Sequence, residues 1–147
     1  MKIATSNLVK KGLRIIIEPG NALVRNSVLY ESKIIAKKII ENEVFLTIDG
    51  TLNHISPNSK LQKVQYRLLS ANRNTVRKQI IVGNTCKESD IFIVLEDEIC
   101  LDIGDHIQFL NMGAYISNAQ ASNIIPIPNI EYHPSKKLSK SYSTHIE

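Results

Sequence analysis

A chain of 147 residues is long enough for one ordinary domain with its own core. Its 43% hydrophobic and 22% charged residues exclude an intrinsically disordered chain. The net charge of +4 comes partly from Lys136-Lys137-Leu138-Ser139-Lys140, a solvated end, and the few aromatics include no tryptophan, so no base-stacking platform for nucleic acid is expected.

In chain order, Lys2 is followed by a weakly apolar stretch broken by Asn7, Lys10 and Lys11, which is not a signal peptide. No apolar run approaches the length of a membrane span, so no membrane partner is expected and the cytoplasm is the default location. Ser6 to Gly12 predicts the last turns of a helix, with Gly12 as its stop. Leu13 to Ile17 is a short β-branched run that predicts a buried strand, ending at Glu18-Pro19-Gly20. A carboxylate at the end of such a strand points to the face where parallel barrels build active sites.

Ala22 to Ile40, rich in Val, Leu and Ile, predicts one or two strands. Glu31 to Asn42 taken alone also fits an amphipathic helix, because Ile35 and Ile39 are four apart. The clear strand Val44 to Ile48 favours instead a hairpin turning near Glu41-Asn42. Further strands are predicted over Lys63 to Leu69, Lys78 to Val82, Ile91 to Leu95, Glu98 to Leu101 and His106 to Leu110. Short strands at this spacing, with turns at Asp49-Gly50, Ser56-Pro57-Asn58, Gly83-Asn84 and Gly104-Asp105, predict a mainly β chain built as an antiparallel barrel or sandwich. Pro126, Pro128 and Pro134 then interrupt regular structure, and Ser135 to Glu147 reads as a polar, mobile tail.

Two cysteines make no disulfide framework, and no CxxC or HxxxH spacing offers a metal site. Cys100, between Ile99 and Leu101, reads as a small buried hydrophobe, whereas Cys86 stands among Gly, Asn, Thr and charges. Taken singly, Glu18 is an acid before a Pro-Gly turn, Cys86 a loop cysteine, and Tyr115 an amphipathic packing residue at a strand end. His54 reads as a surface-loop histidine, His106 as a solvent-facing strand residue, and His133 and His145 as parts of the tail.

Taken together the marks say more. Glu18-Pro19-Gly20, the stretch Gly83 to Asp90, Gly104-Asp105 and Gly113-Ala114-Tyr115, in that order, resemble the carboxyl-terminal portion of the barrel-fold pyridoxal-phosphate decarboxylases, the ornithine/diaminopimelate/arginine decarboxylase family. The resemblance covers roughly residues 6 to 125. It implies an amino-terminal (β/α)8 barrel carrying the cofactor-holding lysine, followed by a β-domain. On that plan residues 1–24 are a remnant of the last barrel helix and strand, 25–130 the β-domain and 131–147 a flexible tail.

The resemblance also implies roles. Glu18 pairs with the pyridinium nitrogen of pyridoxal 5'-phosphate, the backbone at Gly20 approaches its phosphate, and the Tyr115 hydroxyl donates to that phosphate. Cys86, in a Gly-x-x-Cys-x-x-x-Asp loop, protonates the substrate carbon after carbon dioxide leaves, reaching across a head-to-tail dimer. A thiol suits this because its reference pKa of about 8.5 keeps it protonated near neutrality yet able to release the proton. Asp90 fixes either the loop or the substrate, and both alternatives stay open at this point.

Two positions depart from the family pattern. Asn21 replaces the usual arginine near the phosphate, and Lys87 replaces the acid that meets the substrate's distal amine, leaving Glu88 as the neighbouring acid able to serve. The chain lacks the barrel lysine, so it is expected to be inactive alone. It would need a second copy or a complementary barrel-bearing polypeptide, together with an amino-acid substrate. The alternative is a non-catalytic dimerisation or regulatory β-domain. Racemase chemistry on the same two-domain plan is disfavoured by the Cys86 loop and by Gly113-Ala114-Tyr115.

Overall fold

The computed structural model describes residues 16, 18, 20–55, 64–114 and 125–133. Six strands carry the fold: β1 (Tyr30–Ile40), β2 (Glu43–Ile48), β3 (Tyr66–Leu69), β4 (Thr75–Val82), β5 (Ile91–Ile99) and β6 (His106–Phe109). They form one sheet in the order β3-β6-β1-β2-β4-β5. The expectation of a mainly β domain holds. Four of the five pairings are antiparallel, and β2 with β4 is parallel, with Val44 opposite Gln79 and Thr47 opposite Val82. The parallel pair arises because the chain leaves β2, adds β3 at the far edge beside β6, and returns to lay β4 against β2.

Strand β1 joins the two halves of the sheet. Its first residues alternate in burial, with Tyr30, Ser32 and Ile34 inward and Glu31 and Lys33 outward. Tyr30 to Lys33 pair with β6, whereas Ile34 to Ile40 pair with β2. A register shift between Ile34 and Ala36 marks the handover, because an extra residue bends a strand and sharpens its twist. The curled sheet is nearly closed and barrel-like. Its two edges meet where the Tyr66 hydroxyl on β3 donates to Glu98 Oε1 on β5 at 2.7 Å.

The core lies inside this curl. Ile34, Leu46, Ile48, Ile81, Leu95, Leu101, Ile107 and Phe109 are essentially inaccessible to solvent. Phe92 and Phe109 stack at 5.0 Å between centroids, and Tyr30 stacks on Phe92 at 6.3 Å. Gln79 is fully buried yet satisfied, its amide donating to the Ile99 carbonyl at 2.6 Å and accepting from the Leu101 N–H at 3.2 Å. It thereby extends the ladder past the end of β5.

Several expectations need correction. No strand begins at Ala22: the chain makes a short helix, α1 (Asn21–Val24), then a 3-10 turn over Arg25–Ser27, and enters β1 only at Tyr30. Local propensity is overridden there by tertiary hydrogen bonds, with Gly113 N–H donating to the Arg25 carbonyl and Met112 N–H to the Val28 carbonyl, each at 2.9 Å. The helical alternative for 31–42 is excluded, since β1 and β2 form the expected hairpin around Glu41-Asn42. Ile91–Leu95 and Glu98–Leu101 prove to be one strand, kinked where Asp97 takes a φ of 53°. Cys100 is half-buried rather than buried.

The predicted helix Ser6–Gly12, most of the predicted strand Leu13–Ile17, Lys63 at the start of the predicted third strand, and the tail from residue 134, with His145, lie outside the described residues. Among the described residues no helix is long and apolar enough to cross a membrane, and no group of His, Cys, Asp and Glu could hold a metal ion.

Candidate functional site

The loop between β4 and β5 carries four of the residues singled out by sequence. Its two ends are buried and its tip is not: Gly83 and Asp90 are buried, whereas Cys86, Lys87, Glu88 and Ser89 are exposed. The Gly83 N–H donates to the Asp90 carbonyl at 2.7 Å, closing the loop at its base. The Asp90 N–H donates to the Lys87 carbonyl at 3.0 Å.

Both oxygens of the Asp90 carboxylate are engaged within the chain. Oδ1 accepts from the Leu52 N–H at 2.7 Å, and Oδ2 accepts from the Thr85 hydroxyl at 2.5 Å. A Cβ at Gly83 would overlap this carboxylate, so only glycine lets Asp90 fold back over the loop base. These contacts tie Asp90 to the base of the loop.

Opposite the loop stands the segment Gly50–Ile55, with a 3-10 turn over Leu52–His54 capped by Thr51, whose hydroxyl accepts from the Asn53 N–H at 3.3 Å. The Gly50 carbonyl accepts from the Asn84 N–H at 2.8 Å. His54 is not a surface residue as expected; it is 1% exposed, because the turn directs the imidazole inward. Its Nδ1 shares a 3.1 Å hydrogen bond with the Tyr30 hydroxyl, and its Nε2 lies 3.5 Å from the Ile125 carbonyl. Burial, offset in part by hydrogen bonding and reinforced by the Asp49 and Asp90 charges, pushes the Tyr30 phenol up to about 12.

The first and third marks also meet. Gly20 ends the first, its carbonyl accepts from the Leu23 N–H at 3.1 Å, and α1 follows at once. Gly113 packs directly on that helical turn, where an added Cβ would overlap the Val24 carbonyl and crowd the Ser27 hydroxyl. The small residue at 113 therefore admits protein backbone. Glu18 is exposed, and among the described residues no hydrogen bond or ion pair joins it to the Cys86 loop. Tyr115 lies outside the described residues. His106, half-exposed on the outer face, lies 2.9 Å from Glu31, and exposed His133 lies 3.5 Å from Glu131.

The sequence matches the family described as pyridoxal-dependent decarboxylase, C-terminal sheet domain, over residues 22–113, well over half of the chain. The chain belongs to this family. The decarboxylase sheet domain also has solved structural neighbours. A diaminopimelate decarboxylase from Helicobacter pylori, complexed with L-lysine, is 26% identical with a TM-score of 0.62, over 80% of this chain and 29% of that one. The arginine decarboxylase of Paramecium bursaria Chlorella virus, bound to agmatine, gives 20% identity and a TM-score of 0.62, over 80% and 35%. A lysine/ornithine decarboxylase from Vibrio vulnificus, complexed with cadaverine, gives 18% and 0.60, over 76% and 31%. The decarboxylase sheet domain thus spans about a third of the length of these chains. No curated protein matches it.

Glu18, exposed and without a partner among the described residues, offers an open carboxylate suited to the protonated ring nitrogen of the family's cofactor. An exposed carboxylate at position 18 has the charge such a ring nitrogen needs, whereas Gly113 is packed against protein. Sequence reasoning missed Thr85 and the buried pair Tyr30–His54. The alternation in β1 marks Tyr30 as inward-facing but gives no sign of its partner.

Proposed function

We propose that the chain is the sheet-domain part of a pyridoxal-phosphate-dependent amino-acid decarboxylase, active when joined to a barrel that carries the cofactor-holding lysine. The family match over residues 22–113 carries this reading. The exposed Cys86 on a loop fastened at both ends supports it.

When bound in the complete enzyme, the cofactor supplies an electron sink for the bond that releases carbon dioxide. Glu18 holds the ring nitrogen protonated through its negative charge, and the Gly20 backbone and Tyr115 hydroxyl hold the phosphate. Cys86 delivers the proton from Sγ to the substrate carbon in the site of a neighbouring subunit. Glu88, exposed beside it, is the acid available to the substrate's distal end. The agmatine, L-lysine and cadaverine named with the solved relatives are all amines, which supports an amino-acid substrate. The division at residues 24 and 130, a dimeric assembly and a cytoplasmic location belong to the same proposal.

The test is to combine the chain with a polypeptide carrying the barrel and follow carbon dioxide release from basic amino acids. Cys86→Ala is expected to lower turnover by about 10²- to 10⁴-fold, the usual worth of a positioned proton donor. Release at the parent rate would refute the assignment of Cys86.

A second reading is a non-catalytic association domain. Exposed Leu23, Val24, Val28 and Leu29, clustered around α1 and the approach to β1, favour it. Co-purification with a decarboxylase whose activity is indifferent to Cys86→Ala would select this reading over the first.

A further inference from the structure

We infer that the segment Gly50–Ile55, seated on Tyr30, is a shelf that positions Cys86, and that Asp90 and Thr85 are the positioning residues fastening the cysteine loop to it. The inference rests on the reading of Cys86 as the proton donor. It concerns residues that touch neither substrate nor cofactor in that reading.

The backbone on both sides of Cys86 is tied to Asp90. Thr85, just before the cysteine, donates its hydroxyl to Asp90 Oδ2 at 2.5 Å. Thr85 Oγ1 itself accepts from the N–H of Lys87, just after the cysteine, at 3.4 Å. The Lys87 carbonyl in turn accepts from the Asp90 N–H at 3.0 Å. The backbone on either side of exposed Cys86 is thus held by a single hydroxyl, that of Thr85.

Asp90 is itself fixed to the shelf through the Leu52 N–H, and a second tie runs from Asn84 N–H to the Gly50 carbonyl. The shelf has a buried support. Gly50 lies so close to the Tyr30 hydroxyl and Ser32 Oγ that no side chain fits there, while that hydroxyl also holds His54. Charge-assisted bonds to a buried carboxylate are stronger than neutral ones, so the Thr85–Asp90–Leu52 clasp is the stiffest part of the loop. Placement matters because a shift of about 1 Å in a reacting group costs on the order of a hundredfold in rate.

The test uses the 147-residue chain itself. Amide exchange at Leu52 and Asn84 is measured, together with the iodoacetamide alkylation rate of the Cys86 peptide as a function of pH. Asp90→Ala is expected to speed Leu52 exchange about tenfold or more, the loss of a bond to a charged group, and to shift the alkylation profile. Asp90→Asn keeps one acceptor oxygen but loses the charge and the second acceptor, and is expected to fall between the parent and Asp90→Ala. Thr85→Val is expected to change the alkylation rate by at least about threefold and Thr85→Ser to restore it. Tyr30→Phe is expected to speed Asn84 exchange.

Parent-like alkylation in both Thr85→Val and Asp90→Ala would overturn the clasp. So would Ser and Asn replacements as perturbed as Val and Ala, since packing rather than hydrogen bonding would then be responsible. Unchanged Asn84 exchange in Tyr30→Phe would overturn the shelf. If Asp90→Ala does not fold, Thr85→Val decides alone, because it preserves shape at a half-buried position. None of these measurements needs turnover, so failure of the decarboxylase reading is a separate result.

Discussion

At the scale of single residues, the site is held by polar groups that have been taken out of water and fully paired. Gly83 shows how little slack this leaves: Gly83→Ala drives a methyl group into the buried Asp90 carboxylate. It is expected to lower the unfolding free energy by about 1–3 kcal/mol in a urea titration, the usual cost of overpacking. The phenols give the chain an alkaline limit. Burial raises Tyr30 from its ordinary 10.0 to about 12, and burial followed by the Glu98 hydrogen bond and charge raises Tyr66 as well. A folded-state value above the unfolded one means the fold favours the neutral phenol. The resulting stability is complete below pH 10 and lost as the pH climbs toward 12. Chemical denaturation at stepped alkaline pH is expected to show this fall, and Tyr30→Phe to flatten it. None of these pairings was legible in the sequence, because Tyr30, His54 and Asp90 are brought together from 30, 54 and 90 along the chain only by tertiary contact.

At the scale of elements, local chemistry explains the turns and fails at the ends of strands. The hairpin at Glu41-Asn42 was readable, and both residues take positive φ, 48° and 70°, as a two-residue hairpin turn requires. Glutamate is poorly suited to that region. Glu41→Asn is expected to raise the unfolding free energy by about 0.5–1 kcal/mol, measurable as a higher Tm. Among the described residues the edge strands β3 and β5 pair with a backbone on one side only, and they are joined to each other by Tyr66 and Glu98. Tyr66→Phe keeps the ring and removes the bond. It is expected to cost about 0.5–1.5 kcal/mol and to speed amide exchange in Tyr66–Leu69 before the central strands are affected. The misread start of β1 has a different cause. Ala22 to Leu29 is apolar enough for a strand, but Gly113 offers a flat seat for a helical turn, and that contact decides the conformation.

At the scale of the whole molecule, the sheet brings distant marks toward two places. One is the β4–β5 loop resting on the Gly50–Ile55 segment, and the other is Gly113 resting on the turn after Gly20. The proposal for function places a barrel beside the second and a neighbouring subunit beside the first. On that proposal, mixing with a barrel-bearing polypeptide is expected to produce carbon dioxide release. The sequence by itself determined the strand periodicity, the hairpin turn and the ordered motifs that resemble the decarboxylase family, because these depend on local sterics and residue chemistry. Only the tertiary structure decided that β2 and β4 run parallel, that His54 faces inward and that the Asp90 carboxylate closes on Thr85 and Leu52. Those outcomes depend on which segments the curled sheet brings into contact, and burial then forces each polar group to find its partner there.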